Sequence, residues 1–163
     1  MSWWGDKVRQ VASYLGARVS LEERAALATQ LTPAQLALFD GMHVADQRHG
    51  LDVMARLRAD GGADDPELLL AGLLHDAAKG PSVGLLHRVS WSLGEHYGAW
   101  ACSIGRRLPG FDAAYARLED HAEESAREAL LAGCTPRTAA LIRAQASPAD
   151  DAGRRLHAAD EAA

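Results

Sequence analysis

The chain has 163 residues, of which 48% are hydrophobic and 24% are charged, the ordinary balance of a folded globular protein. Its formal net charge of −5 argues against a nucleic-acid duplex as partner, because proteins that track phosphates carry a basic face. The longest apolar runs fall short of the roughly 20 residues that a membrane helix needs, and the first residues, "MSWWGDKVRQ", do not resemble a secretory signal. We therefore expect a single-domain cytoplasmic protein without a membrane partner, with Cys102 and Cys134 reduced.

Helices are expected along the whole chain, because Ala, Leu and Arg are plentiful and β-branched residues never alternate with polar ones. The predicted fold class is therefore all-α, a bundle of about eight helices. In chain order, the first predicted helix covers residues 4–15, the second begins at the capping box of Ser20 and Glu23, and the third begins at Thr32-Pro33. The next two cover residues 44–60 and the segment from Asp65-Pro66 to Gly80-Pro81.

The second half of the chain begins with a helical segment over residues 83–108 that breaks near Gly94. A helix over residues 111–132 follows, and an interruption near Asp120 is an alternative. The last two predicted helices run from Thr135-Pro136 to about residue 146 and from Ser147-Pro148 to the end.

The apolar run "LLLAGLLHDAAKG", residues 68–80, carries His75 and Asp76 side by side and Lys79 shortly after them. A buried carboxylate without a partner costs several kcal/mol unless a counter-charge or a metal ion meets it. On a continuous helix, Lys79 lies one turn beyond both residues. The run therefore predicts a compact group of an imidazole, a carboxylate and an ammonium. The simpler interpretation is an exposed pair of Asp76 and Lys79 at a helix end.

Two more residues extend this group. Upstream, His49 lies on a predicted helix whose apolar positions continue its face, and downstream Asp160 lies in "LHAAD" on the last predicted helix. The ordered set of His49, His75-Asp76 and Asp160 resembles the HD-domain superfamily of metal-dependent phosphohydrolases. The resemblance covers residues 45–163, and residues 1–44 are expected to form N-terminal helices that pack on this domain or support a homodimer.

The resemblance implies an HD-domain fold and a metal site whose ligands are His49, His75, Asp76 and Asp160. Imidazoles and carboxylates suit a divalent transition metal, with Mn, Fe, Co, Ni and Zn all acceptable and Mg also possible. A water molecule held by the metal would attack the phosphorus of a nucleotide or another small phosphorylated substrate. The catalytic residues would be Asp76 and Lys79, with Lys79 offsetting charge on the phosphate oxygens or protonating the leaving oxygen.

A second ion is a further expectation, because many members of that family bind two metals with extra histidines between the HD pair and the final aspartate. The candidates here are His96 in "GEHYGAW" and His121 in "LEDHAEESA", with Asp76 bridging the two ions. The pair of adjacent histidines often found at the later position is missing, since Asp120 precedes His121 and Ala122 follows it. The alternatives are therefore two ions, or one ion with a catalytic His121.

Other interpretations remain open at this point. The same fold and ligands would suit a non-catalytic regulatory domain that binds a metal or a small ligand, and helical scaffolds of this kind also host di-iron oxygenases. Each candidate residue also has a structural interpretation. His49 could be an interior histidine with satisfied hydrogen bonds, His96 a surface residue of a helix, and Asp160 a solvated charge in a frayed terminus.

Overall fold

The computed structural model describes residues 16–80, 83–98 and 108–163; within the helix at 85–97, the side chains of residues 88, 92 and 95–97 lie outside that description. The described residues form α-helices and no strand, which confirms the predicted all-α class. The eight helices are α1 (Leu21–Ala28), α2 (Pro33–Asp40), α3 (Val44–Leu57), α4 (Pro66–Leu74), α5 (Leu85–Tyr97), α6 (Phe111–Leu131), α7 (Pro136–Arg143) and α8 (Asp151–Ala162). A π-turn follows α3 and a 3₁₀ turn, Ala77–Lys79, follows α4.

The predicted helix starts are confirmed for α1, α2, α4 and α7. Ser20 with Glu23, and Thr32 with Gln35, form reciprocal capping boxes, in which each side chain accepts from the other residue's backbone N–H. Asp65 caps α4 in front of Pro66, which needs no hydrogen bond at the first helical position. Thr135 and Pro136 open α7 in the same way.

Several predicted boundaries are wrong. α5 runs through Gly94 without a break and ends at Tyr97 with Gly98 as its C-cap, and α6 is continuous past Asp120 up to Leu131. Neither residue interrupts its helix, because one Gly or Asp inside a helix costs only about 1 kcal/mol or less. α7 ends at Arg143 rather than near residue 146, and α8 begins at Asp151 rather than at Ser147-Pro148. The side chain of Asp150 accepts from Gly153 N and supplies the N-cap of α8.

The main core lies between α3, α4, α7 and α8, with α6 and the first two helices packed around it. Leu57, Leu68, Leu74 and Ile142 are fully buried there, and Leu156 brings α8 into the same core. Leu27 of α1 and Phe39 of α2 also belong to this cluster. A smaller cluster packs α5 onto the first half of α6. Its buried members are Val83, Ala114, Tyr115 and Leu118.

α3 and α4 cross unusually closely, and two glycines permit the approach. A Cβ on Gly50 would lie 2.4 Å from the backbone oxygen of Leu73, and a Cβ on Gly72 would lie 2.7 Å from a Leu57 methyl carbon. Both distances are shorter than real Cβ contacts. A side chain at Gly50 would force the helices apart, because the backbone oxygen of Leu73 cannot move without its helix, whereas a side chain at Gly72 would displace the Leu57 side chain. Gly50 follows His49 directly, so the close crossing places His49 against the C-terminal end of α4.

Some predictions fall outside the described residues. They are the first helix at residues 4–15, the part of the predicted segment 83–108 at residues 99–107, which includes Cys102, and the side chain of His96. Cys134 lies within the description and is buried with a free thiol. In the described part of the chain, no helix has both the length and the apolar character that a membrane span requires.

Candidate metal centre

The candidate site forms where α4 ends, six residues earlier than the sequence predicts. α4 stops at Leu74 with His75 as its C-cap, Asp76 leaves the helical conformation, and the 3₁₀ turn follows up to Gly80, whose φ is +72°. The prediction of a helix up to Gly80-Pro81 is therefore wrong. Leaving the α-helix moves His75 and Asp76 out of the regular spacing and turns both side chains into one buried space.

Tertiary hydrogen bonds replace the helical ones that this turn gives up. The side-chain amide of Gln145 donates to the carbonyl oxygen of His75 at 3.4 Å, and Ala78 N donates to Oγ of Ser125 on α6 at 2.9 Å. Both side chains are buried. A helix end inside a protein needs such partners, because its last carbonyls and the next amides have none of their own.

His49 and Asp160 meet on one side of the site. Nε2 of His49 lies 2.7 Å from Oδ1 of Asp160, and Nε2 of His75 lies 3.4 Å from the same oxygen. The rings of His49 and His75 stand edge to face with centroids 5.2 Å apart. The side chains of His49 and Asp160 are 29% and 33% exposed, so this side of the site is open to solvent.

His75 and Asp76 form the buried side, with side chains only 2% and 3% exposed. Nδ1 of His75 donates to the carbonyl oxygen of Gly72 at 2.9 Å, which fixes the ring and turns Nε2 towards the carboxylates. Nε2 of His75 is 3.6 Å from Oδ1 of Asp76. That oxygen is buried and accepts no hydrogen bond, the one such side-chain atom found in the described part of the chain. An orphaned buried carboxylate oxygen calls for a cation.

The ammonium of Lys79 lies 2.5 Å from the other carboxylate oxygen, Oδ2 of Asp76. The predicted group of imidazole, carboxylate and ammonium therefore exists, although a 3₁₀ turn rather than an α-helix builds it. Lys79 is mostly buried, with 19% of its side chain exposed, unlike the surface ion pair of the simpler interpretation. It fixes Asp76 so that Oδ1 faces the histidines.

His121 of α6 is the third histidine of the site, and it faces the buried carboxylate of Asp76. Its Nδ1 donates to the carbonyl oxygen of Leu118 at 2.7 Å, and its Nε2 lies 3.6 Å from Oδ1 of Asp76. Because a carbonyl only accepts hydrogen bonds, Nδ1 carries the proton and Nε2 of the neutral ring offers a lone pair to the site. The second predicted extra histidine, His96, lies on α5, and its side chain is outside the description.

The charges of the site favour the binding of a cation. Burial alone would lower the pKa of His75, but the carboxylates of Asp76 and Asp160 outweigh it and raise that pKa to about 9. Burial opposes ionisation of Asp76, yet His75 and Lys79 hold its pKa well below the usual range. Burial likewise opposes ionisation of Asp160, and hydrogen bonds from His49 and His75 lower its pKa. Burial and, to a lesser extent, the positive charge of Lys79 lower the pKa of His121, so its ring is neutral.

The donor atoms fit a metal ion. His49, His75 and Asp76 each offer one ligand atom, and these atoms lie within 4.8 Å of one another. Atoms that share one ion through bonds of roughly 2.1 Å lie within about 4.2 Å of each other, so small side-chain rotations suffice. Oδ1 of Asp160, at 2.7 and 3.4 Å from the two imidazole nitrogens, falls inside that range. This cluster can bind a metal ion.

Sequence reasoning missed two residues that bind the turn of the site, Ser125 and Gln145. Ser125 lies four residues after His121 and so shares its face of α6, and helical spacing could have drawn attention to it. Gln145 lies just after α7, 70 positions from His75, and no local pattern indicates its role.

Comparison with known proteins adds no family to this geometry. No protein-family model matches the chain, and no significant match is found among curated proteins or solved structures. The resemblance to the HD-domain superfamily therefore stays a prediction carried by His49, His75-Asp76 and Asp160.

Proposed function

We propose that this protein is a metal-dependent phosphohydrolase that acts on a nucleotide or another small phosphorylated molecule. The observation that carries the proposal is the buried Oδ1 of Asp76, which accepts no hydrogen bond, faces His75 and His121 and lies beside the His49–Asp160 contact. Five acid and base groups from four separate segments of chain converge there. A purely structural cluster would satisfy that oxygen with a hydrogen bond.

The ligand set supports a divalent transition metal. Two imidazoles and two carboxylates suit Mn, Fe, Co, Ni or Zn and give no strong preference among them. When bound, such an ion supplies Lewis-acid chemistry: it lowers the pKa of a water molecule and draws negative charge from a phosphoryl group. The exposed side of His49 and Asp160 gives a substrate access to this chemistry.

The arrangement supports one ion more than two. A bridging aspartate uses both carboxylate oxygens, but Lys79 contacts Oδ2 of Asp76 and leaves Oδ1 for the cation. His121 then has its neutral Nε2 beside the reacting centre, where it can accept a proton from the nucleophile or ligate the same ion. Lys79 orients Asp76 and contributes a positive charge close to the phosphoryl oxygens.

Metal analysis of the purified protein, followed by a screen of phosphorylated metabolites and aryl phosphates with added Mn²⁺ or Ni²⁺, tests this proposal. We expect turnover that depends on the metal. Asp76→Asn keeps the shape of the side chain but removes its charge and should lower kcat/KM at least about a hundredfold. His49→Asn changes a more exposed ligand. It tests the same site if the Asp76 variant fails to fold.

Asp120→Asn is the matched control, because Asp120 lies on the exposed face of α6 next to His121 and should leave turnover unchanged. Two outcomes favour the other interpretations. Tight metal binding without turnover on the whole panel supports a regulatory domain that binds metal. Iron-dependent uptake of oxygen supports an oxygenase. Full activity of Asp76→Asn contradicts the proposed site itself.

A further inference from the structure

A cleft lies between α3 and α8, the two helices that carry His49 and Asp160 on the open side of the candidate site. Its volume is about 440 Å³, and small-molecule sites occupy roughly 300–1,000 Å³. Three alanines and three charged residues contribute to its walls: Ala158, Ala159 and Ala162 of α8, Arg56 of α3, and Asp60 and Arg155. The cleft is therefore large enough to hold the part of a substrate that lies beyond its phosphoryl group.

Both helices connect the cleft to the candidate metal centre. In α8, Ala159 of the cleft directly precedes Asp160. In α3, Arg56 lies seven residues after His49, which is almost two full turns, so the two residues share one face of the helix. The rise along the helix between them is about 10 Å. A molecule whose phosphoryl group lies at His49 and Asp160 can therefore extend along α3 to Arg56.

Arg56 supplies the cleft with a positive charge that no carboxylate neutralises in the described part of the chain. It is exposed and makes no hydrogen bond or ion pair there. The carboxylates one helical turn away have other partners, because Asp52 pairs with Arg48 at 2.8 Å. Oδ2 of Asp60 lies 3.6 Å from Nε of Arg155, whose Nη2 donates to the carbonyl oxygen of Asp60 at 2.6 Å. Asp60 and Arg155 balance each other, so the cleft keeps the charge of Arg56.

We propose that this cleft binds the organic part of the substrate and that Arg56 recognises a second acidic group on it, a carboxylate or a phosphate. The preferred substrates are then phosphate esters with a second negative charge within about 10 Å of the phosphoryl group that is cleaved. The three alanines provide apolar surface between the two charges. A guanidinium can donate two parallel hydrogen bonds to either kind of acidic group. This inference rests on the proposed phosphohydrolase function and adds to it a substrate class and a specificity-determining residue.

The test uses two compounds that differ in charge but hardly in shape, 4-carboxyphenyl phosphate and 4-carbamoylphenyl phosphate. Release of phosphate by the Mn²⁺-loaded protein gives kcat/KM for each. The corresponding benzylphosphonates have a P–C bond that is not hydrolysed, so calorimetric titration with them measures binding without turnover. 1,4-Phenylene bisphosphate replaces the carboxylate by a phosphate, and its kcat/KM shows which of the two acidic groups Arg56 prefers.

Four variants separate the charge of Arg56 from its surroundings. Arg56→Ala removes the charge and Arg56→Glu reverses it. Arg58→Ala is the matched control, because Arg58 is equally charged and exposed but donates to Gln30 and does not line the cleft. Ala158→Leu fills part of the cleft and leaves every charge in place, and the exposed position of Ala158 accepts a larger side chain without disturbing the core.

We expect the wild type to prefer the carboxylate over the amide about tenfold, both in kcat/KM and in phosphonate affinity. Arg56→Ala should abolish this preference and Arg56→Glu should reverse it. Ala158→Leu should weaken the binding of both phosphonates several-fold, and Arg58→Ala should match the wild type.

A preference that Arg56→Ala leaves unchanged, or that Arg58→Ala loses to the same extent, overturns the role of Arg56. A wild type that cleaves both esters equally well overturns the inference and leaves the proposed function intact. A wild type that binds the phosphonates with an Arg56-dependent preference but cleaves no ester overturns the proposed function and supports the cleft as a binding site.

Discussion

His49 and Asp160 meet at 2.7 Å between Nε2 and Oδ1, although 111 positions separate them in the chain. The contact joins α3 to α8, the last helix, whose Leu156 and Ala159 are buried in the main core. Asp160 lies in the last turn of α8, and a helix end frays easily unless it is held by packing. Apolar packing from α8 and an acid–base contact at the site thus hold the same helix.

Asp160→Asn tests whether this contact serves metal binding. The amide keeps the size of the side chain but is a poor metal ligand, so the dissociation constant for Mn²⁺ should rise at least about tenfold. Isothermal titration calorimetry measures that change. Glu161→Gln, one residue further along, removes an exposed carboxylate and should bind Mn²⁺ like the wild type. Equal Mn²⁺ affinities of Asp160→Asn and wild type would remove Asp160 from the ligand set.

Gly50→Ala tests the close crossing of α3 and α4. The added methyl group would lie 2.4 Å from the backbone oxygen of Leu73, which cannot move without its helix. We expect the free energy of unfolding to fall by about 1–3 kcal/mol or more, and Mn²⁺ affinity to fall as His49 moves away from His75. Thermal unfolding and metal titration check both effects.

The control for this substitution is Gly16→Ala, because nothing lies within 4 Å of a Cβ at Gly16. Its stability should stay within about 0.5 kcal/mol of the wild type. A Gly50→Ala protein with wild-type stability would mean that α3 and α4 tolerate a wider separation than their packing indicates.

The sequence predicts those features that local chemistry decides. The capping residues Ser20, Thr32, Asp65 and Thr135 open the predicted helices, because each one satisfies backbone amides within its own first turn. The apolar run that contains Asp76 predicts a counter-charge beside that residue, whereas His49, His121 and Asp160 entered the candidate site only through the resemblance to HD-domain proteins. Their mutual distances required the three-dimensional structure.

Features decided by distant contacts could not be predicted. α4 ends at Leu74 although good helix formers follow, because Gln145 and Ser125 satisfy the turn from other helices. The start of α8 is instead decided by local contacts that the prediction overlooked. Pro148 packs against Gly153, where a Cβ would lie 2.9 Å from Pro148 Cβ, and Asp150 rather than Ser147 caps the helix.

Asp65→Asn tests a pH-dependent contact between α4 and α7. Arg137 donates hydrogen bonds to Asp65 and lowers its pKa to about 2, from an ordinary value of 3.8. Because the pKa is lower in the folded state, the stabilisation is fully present above pH 4 and is lost as the pH falls towards 2. Arg137 is exposed, so solvent screening reduces the contribution to about 1 kcal/mol.

Asparagine is also a good N-cap, so Asp65→Asn removes the charge without removing the cap. Urea unfolding at several pH values should show that the variant is less stable than the wild type by about 1 kcal/mol at pH 7, with the difference shrinking by about half near pH 3. Asp64→Asn, an exposed neighbour, should differ from the wild type by less than about 0.5 kcal/mol. A difference for Asp65→Asn that is constant from pH 7 to pH 3 would rule out the ion pair as its cause.

Ser125→Ala tests whether the hydrogen bond between α6 and Ala78 N fixes the geometry of the site. The substitution leaves Ala78 N without its acceptor, which should lower the free energy of unfolding by about 1–2 kcal/mol. Because Ala78 lies between Asp76 and Lys79, the freed turn should also weaken Mn²⁺ binding several-fold. Urea unfolding and Mn²⁺ titration separate the two effects, since a purely structural role would lower stability and leave the affinity of the folded protein unchanged.

Ser147→Ala is the control for the loss of a hydroxyl group, because Ser147 is exposed in the turn before α8. Ser125→Cys is a second variant that keeps the volume of the side chain but offers a weaker acceptor to Ala78 N. If the hydrogen bond fixes the turn, the cysteine variant should fall between alanine and the wild type in both stability and Mn²⁺ affinity. Wild-type Mn²⁺ affinity in Ser125→Ala would show instead that Lys79 and the core packing of α4 hold Asp76 in place without help from α6.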